Sequence, residues 1–136
     1  ITRSSVTNER DLEKERTMGR KFTVPYATYI AFGFVNPFLA QQTGFSEEDL
    51  EILWESLLNA FQFDQSAARP AGSMACRRLI VFRHPNELGI APSYTLLDAV
   101  SVNPRDGVEV PRCSQDYEVS INRAAIPEGI EVLEMP

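Results

Sequence analysis

The sequence predicts an α+β fold in which helices cover one face of an antiparallel sheet. Two observations predict it: segments with the alternation typical of strands stand on both sides of one clear amphipathic helix, and turn residues separate these elements. The chain has 136 residues, of which 43% are hydrophobic and 24% charged, enough for one small domain with a core.

The first expected element is a hairpin within residues 1–34. Residues 2–7 and 21–34 look extended, and Phe22 to Ile30 alternates as a strand does, with Pro25 restricting its start to a sheet edge or bulge. Residues 8–16 are polar and contain one large apolar residue, Leu12, so they cannot fold by themselves. We expect them to form a mobile loop or short exposed helix that joins the two arms.

Two helices follow. Asn36 with Pro37 is typical of a helix start, and the helix over residues 38–43 should end at Gly44. Ser46 opens a second helix over about residues 47–62, because acids follow it at once and apolar residues then recur at helical spacing. We expect that apolar stripe to be core and the acidic face to be solvated.

The remaining elements are shorter. Residues 77–82 indicate a buried strand, with Arg77 and Arg78 pointing to opposite faces. Residues 94–102 fit either a strand or a short helix, residues 103–107 a turn, and Tyr117 to Ile121 a last alternating strand. Residues 126–135 give mixed signals. The order of elements suggests half of a ferredoxin-like unit with an inserted hairpin.

The net charge of −6 is distributed unevenly. Residues 46–64 carry six acids and no base, whereas residues 65–85 carry four arginines and no acid. Residues 1–45 have a balance of +2 and residues 86–136 a balance of −6. Two basic stretches therefore flank an acidic helix, which permits an anion-binding face on an acidic protein; a solvated surface of mixed sign is the simpler alternative.

No catalytic or metal-binding motif stands out. The sequence has no glycine-rich phosphate loop and no Gly-x-Ser-x-Gly elbow. His84 is the one histidine, and Cys76 and Cys113 are far apart, so a zinc site is not expected and both thiols should be reduced. We expect no catalytic residue, no metal and no cofactor. Because no export signal or apolar span is present, we expect a cytoplasmic location.

Several collinear stretches resemble a known family. They are residues 17–26 (TMGRKFTVPY), 43–51 (TGFSEEDLE) continuing to Asp64, 66–69 (SAAR), 77–84 (RRLIVFRH), 106–112 (DGVEVPR) and 116–117 (DY). In this order they resemble the C-terminal half of the type I-C Cascade backbone subunit, a CRISPR-associated family of the RAMP superfamily. The resemblance covers nearly the whole chain, so residues 1–136 would be a single partial domain.

The resemblance implies a modified RRM-like palm with a thumb hairpin, which would lie within residues 1–34. It also implies a non-catalytic role: identical subunits form a helical filament on CRISPR guide RNA, together with other Cascade subunits, and the guide then pairs with target DNA. Two alternatives remain open, a RAMP-type ribonuclease and a protein–protein interaction module without RNA.

The expected RNA contacts come from residues together with the resemblance. The hairpin tip should hold Met18, Gly19, Arg20 and Lys21, where glycine permits close approach and the cations pair with phosphates without reading sequence. Ser66 and Arg69 form a second predicted contact in a loop of small residues. Arg77 and Arg78 complete the predicted set, with at most one of them on the RNA face and the other paired with an acid on a helix.

Overall fold

The computed structural model describes residues 2–3, 17–18, 24–64 and 69–136, and its elements confirm an α+β fold. In chain order the elements are β1 (Thr2–Arg3), β2 (Thr17–Met18), α1 (Pro37–Thr43), α2 (Glu47–Asn59), β3 (Leu79–Arg83), α3 (Ser93–Asp98), β4 (Val100–Pro104), β5 (Tyr117–Ile121) and β6 (Glu131–Met135). Single 3₁₀ turns, Ser114–Asp116 and Arg123–Ala125, flank β5.

The strands of the described residues pair two by two, and every pair is antiparallel. β1 pairs with β2, β3 with β6, and β4 with β5. The antiparallel pairing agrees with the predicted fold class, and the described strands form separate two-stranded sheets. The pairing of β3 with β6 joins residues about 50 positions apart, which no local pattern specifies.

Local hydrogen bonds fix both predicted helices. The Asn36 side chain accepts hydrogen bonds from the backbone N–H groups of Phe38 (2.9 Å) and Leu39 (3.3 Å), and Gly44 ends α1 with φ +76°. Ser46 and Asp49 form a reciprocal capping box at the start of α2. The helix ends at Asn59, three residues before the predicted boundary, because the last turn tightens to a bond from Ala60 N–H to the Leu57 carbonyl.

The chain after β3 alternates between turns and short elements. The ambiguous stretch 94–102 proves to contain both alternatives, since α3 leads directly into β4. The turn predicted over residues 103–107 is confirmed in its second part, where Val108 N–H donates to the Arg105 carbonyl and Gly107 has φ +81°, whereas Asn103 and Pro104 belong to β4. β5 is not the last strand, because β6 follows it and pairs with β3 from Leu79↔Met135 to Arg83↔Glu131.

The predicted strand from Phe22 to Ile30 is wrong over its described part. Residues 24–36 have no regular secondary structure, because no described strand lies alongside to form a ladder with them. An aromatic contact joins this segment to β5, since the ring centroids of Tyr26 and Tyr117 lie 6.2 Å apart.

Little of the described chain is buried. Among hydrophobic residues, only Leu96 in α3 and the adjacent Ala99 are less than 5% exposed. The apolar stripe of α2, predicted to be core, contains no buried residue, and Leu57 on it remains 41% exposed. In the part of the chain that the structure describes, no helix is long and apolar enough to cross a membrane.

Candidate nucleic-acid interface

Strand β2 contains one residue of the first predicted RNA contact, Met18. β1 and β2 are antiparallel, with Thr2 opposite Met18 and Arg3 opposite Thr17. β2 lies before the predicted second arm, residues 21–34, and Met18 therefore stands on a paired strand. Gly19, Arg20, Lys21 and Ser66 lie outside the described residues.

Arg69 lies at the start of the second described segment after the small-residue loop. Its guanidinium is 3.1 Å from the Asp64 carboxylate, and 49% of the Arg69 side chain is exposed. The residues on both sides of the loop are thus joined by one ion pair at the surface. The Asp64 carboxylate offsets part of the positive charge of Arg69, so this guanidinium attracts an anion less strongly than an isolated one would.

Arg77 and Arg78 do not lie on β3, which corrects the prediction that they alternate across a strand. The ladder with β6 begins at Leu79, and the residue after its partner Met135 is Pro136, which has no N–H to donate. Both arginines are exposed. Arg78 does pair with an acid, at 3.8 Å, but that acid is Glu134 on strand β6 and not a helix residue.

Arg123 joins the same acid. Its guanidinium pairs with the other carboxylate oxygen of Glu134, so one glutamate holds two arginines. Arg77, Arg78 and Arg123 with Glu134 form what we call the basic end of the β3–β6 ladder, with a balance of +2. Sequence analysis missed Arg123 because β6 itself was not predicted.

The opposite end of the ladder has the opposite sign. Arg83, the last residue of β3, lies beside Glu131 and 3.6 Å from Glu47 in the first turn of α2. With Glu87, which lines the same hollow as Glu47, these residues form the acidic end, three glutamates against one arginine, with a balance of −2. RNA phosphates are repelled there.

A fixed turn stands at the acidic end. Gly89 N–H donates to the Asn86 carbonyl at 3.1 Å, and Ile90 N–H donates to His84 Nδ1 at 3.1 Å. His84 therefore makes the local strand-end contact that the sequence suggested. Glu87 accepts a 2.7 Å hydrogen bond from the Gln41 side chain of α1. This turn, residues 84–90, holds the Leu88 side chain 88% exposed.

Within the residues that the structure describes, no group of three or more His, Cys, Asp or Glu side chains lies close enough to hold a metal ion. Cys76 is half-buried and Cys113 exposed, and both are free thiols. The carboxylates with lowered pKa, Asp49 and Asp116, are held by backbone N–H groups at the starts of α2 and a 3₁₀ turn, which is a capping role.

The family is decided by a match along most of the chain. The model for CRISPR-associated protein Cas7 matches residues 1–122. The chain belongs to the Cas7 family. A comparison with curated proteins finds no match. The match includes every predicted RNA contact. It does not include β6, whose residues 131–135 lie beyond it.

Membership of the Cas7 family affects how the surface charges are interpreted. The match indicates a CRISPR-associated, RAMP-type backbone subunit, so the positions of its basic residues are relevant to function. Of the predicted contacts that the structure describes, Arg69 pairs with Asp64 and Arg78 pairs with Glu134. These two arginines are therefore held by different carboxylates.

Proposed function

We propose that this Cas7 chain is part of a non-catalytic backbone subunit of a CRISPR antiviral surveillance complex, which grips guide RNA by its phosphates and polymerises along it. The observation that carries the proposal is the family match over residues 1–122. The complex is a type I-C Cascade, because the collinear stretches between residues 17 and 117 resemble the backbone subunit of that subtype. Target DNA is engaged through the guide and not by this chain.

Phosphate recognition suits the charges available. Guide sequences vary, so a backbone subunit that read base edges would bind only some of them, whereas cations paired with phosphates bind all. Arg20 and Lys21, beside Met18 and Gly19, supply the contact of the thumb hairpin. Ser66 and Arg69 supply the second, and the Asp64 carboxylate, 3.1 Å from the guanidinium, orients Arg69.

Arg77 completes the contact set better than Arg78. Arg77 is exposed and directly precedes the ladder, whereas the Arg78 guanidinium shares Glu134 with Arg123. A cation that already has a carboxylate partner gains less from a phosphate, because part of its field is offset. We therefore assign the RNA face to Arg77 and a bracing role to Arg78.

The exposed segment 24–36 supports a partial domain. Residues 22–46 contain no charged side chain, and Tyr29, Phe32 and Phe34 are each more than 60% exposed. Such a segment satisfies its backbone and covers its side chains when it becomes a strand of a larger sheet. In the proposed subunit this sheet is the RRM-like palm, to which residues 1–136 contribute the C-terminal half, and the thumb hairpin lies within residues 1–34.

The test of RNA binding uses the full-length protein and the variants Arg20→Ala and Lys21→Ala, singly and together. Fluorescence anisotropy with two labelled RNAs of unrelated sequence measures the affinity. We expect each substitution to weaken binding on the order of tenfold, as the loss of one charge-assisted contact does, and equally for both RNAs. Arg112→Ala, which removes one exposed arginine in the loop before β5, is the matched control.

The results that contradict the proposal are specific. A loss of affinity for only one RNA sequence would show base recognition. An unchanged affinity in every variant would show that the thumb does not contact the RNA. The alternative of a ribonuclease is tested by incubating the assembled protein with labelled RNA, with and without divalent metal. Cleavage that depends on the protein would overturn the non-catalytic assignment.

A further inference from the structure

The β3–β6 ladder has opposite charges at its two ends, about 13 Å apart along five-residue strands. Arg77, Arg78 and Arg123 outnumber Glu134 at the basic end, and Glu47, Glu87 and Glu131 outnumber Arg83 at the acidic end. One surface is therefore the electrostatic complement of another on the same chain. Two copies can satisfy both surfaces when the acidic end of one faces the basic end of the next.

The acidic end also presents apolar surface in a fixed form. Leu88 is 88% exposed, yet its turn is held by the bonds of Gly89, Ile90 and Glu87 described above. Beside the turn lies an open hollow of about 300 Å³, bounded by Glu87 and by apolar residues that include Pro37, Phe45 and Leu50. A backbone turn that is already held in one conformation needs less ordering on binding, which favours the exposed Leu88 side chain as an interface anchor.

A glycine explains how the turn is kept rigid. Gly89 has φ +73°, and a Cβ there would stand 3.2 Å from His84 Nδ1. The backbone therefore approaches the imidazole ring closely and in a conformation that other residues rarely adopt. The turn is built to hold one shape, which positions Leu88 relative to the glutamates around it.

We propose that Leu88 and the acidic end of the β3–β6 ladder dock on the basic end, around Arg123, of a second copy of this chain. The inference deepens the proposed function and rests on it, since it names the surfaces through which neighbouring subunits polymerise. The two surfaces differ, so the contact is heterologous: each copy keeps one end available, and copies add head to tail into an open filament.

The test exploits this polarity in the full-length protein with guide RNA. Leu88→Asp blocks the acidic end and leaves the basic end intact, whereas Arg123→Glu does the reverse. Leu88 is so exposed that its substitution should not affect folding, and Val110→Asp, at a 63% exposed position in the loop between β4 and β5, is the matched control. Sedimentation velocity and native mass spectrometry count the subunits in each assembly.

We expect neither blocked variant to assemble alone beyond single subunits on RNA, while Val110→Asp assembles as the unmodified protein does. A mixture of the two blocked variants should stop at dimers, because each brings one intact end. Traces of Leu88→Asp added to unmodified protein should shorten its filaments by capping them. Unchanged filaments with Leu88→Asp would overturn the inference, and so would a partner other than a second copy captured at this surface with self-assembly intact.

Failure of the RNA proposal gives a different result. Binding of a single subunit to a short labelled RNA is measured at low protein concentration, where copies do not meet. If the unmodified protein fails to bind RNA, the proposed function fails. If it binds and Leu88→Asp binds equally but still forms filaments, only the docking surface is wrong.

Discussion

Asp116 fixes the entry to β5 mainly through hydrogen bonds with backbone N–H groups. Its carboxylate accepts hydrogen bonds from the backbone N–H of Arg112 at 2.6 Å and of Cys113 at 3.1 Å. The Arg112 bond first, and the Cys113 bond second, hold the pKa of Asp116 below the usual value of a carboxyl group. Because the folded pKa is depressed, the stabilisation is present above the unfolded pKa and is lost as the pH falls through the folded pKa.

We therefore expect Asp116→Asn to lower the Tm of the full-length protein at pH 7. The difference from the unmodified protein should narrow as the pH falls below about 4, the ordinary range of an aspartate pKa, because the native carboxylate then loses its charge too. Thermal melts followed by circular dichroism over pH 3–7 measure this. Asp106→Asn, an exposed change in the preceding turn, is the control, and a difference that did not depend on pH would refute the explanation.

Single residues also show what a sequence can specify. The capping residues Asn36, Gly44 and Ser46 were predicted correctly because a cap is a contact between residues two to four positions apart. The pairing of Arg78 was predicted only in part: an acid was expected, but on a helix. The choice of Glu134 depends on β6 lying beside β3, which no short-range pattern contains.

Among the elements, helices were predicted better than strands. A helix makes its hydrogen bonds within itself, so α1 and α2 follow from spacing and caps, whereas a strand exists only beside its partner. β6 was missed because Val132 and Leu133 are adjacent apolar residues that break the alternation expected of a strand. The segment 24–36 shows the reverse error, since its pattern is that of a strand but no described neighbour pairs with it.

This segment should become a paired strand in the complete subunit. If the palm sheet covers residues 28–35, their amide hydrogens will exchange slowly with deuterium in the full-length protein, because ladder hydrogen bonds must open first. Hydrogen exchange with mass spectrometry measures the protection of peptides from this region. The exposed turn around Gly107 provides the fast-exchanging reference, and equal rates in both regions would show that residues 28–35 remain unpaired.

For the whole molecule, sign and distribution of charge matter more than the sum. A net charge of −6 by itself argues against RNA binding. This value is the sum of an acidic helix, an acidic C-terminal part and separate basic stretches. The sequence alone predicted these blocks, but not that the ladder of β3 and β6 would separate bases from acids. That separation is a tertiary property, because Arg123 and Glu47 reach it from outside the ladder.

The salt dependence of RNA binding tests the phosphate mechanism at this scale. Each cation that neutralises a phosphate of a single strand releases counterions, so log K against log salt concentration steepens by about 0.7 per contact. Replacing Arg20 and Lys21 together with alanine should flatten the slope by about 1.4, whatever the RNA sequence. Anisotropy titrations of the full-length protein at several salt concentrations measure both slopes. Weaker binding with an unchanged slope would mean that the two side chains support the hairpin without touching phosphates.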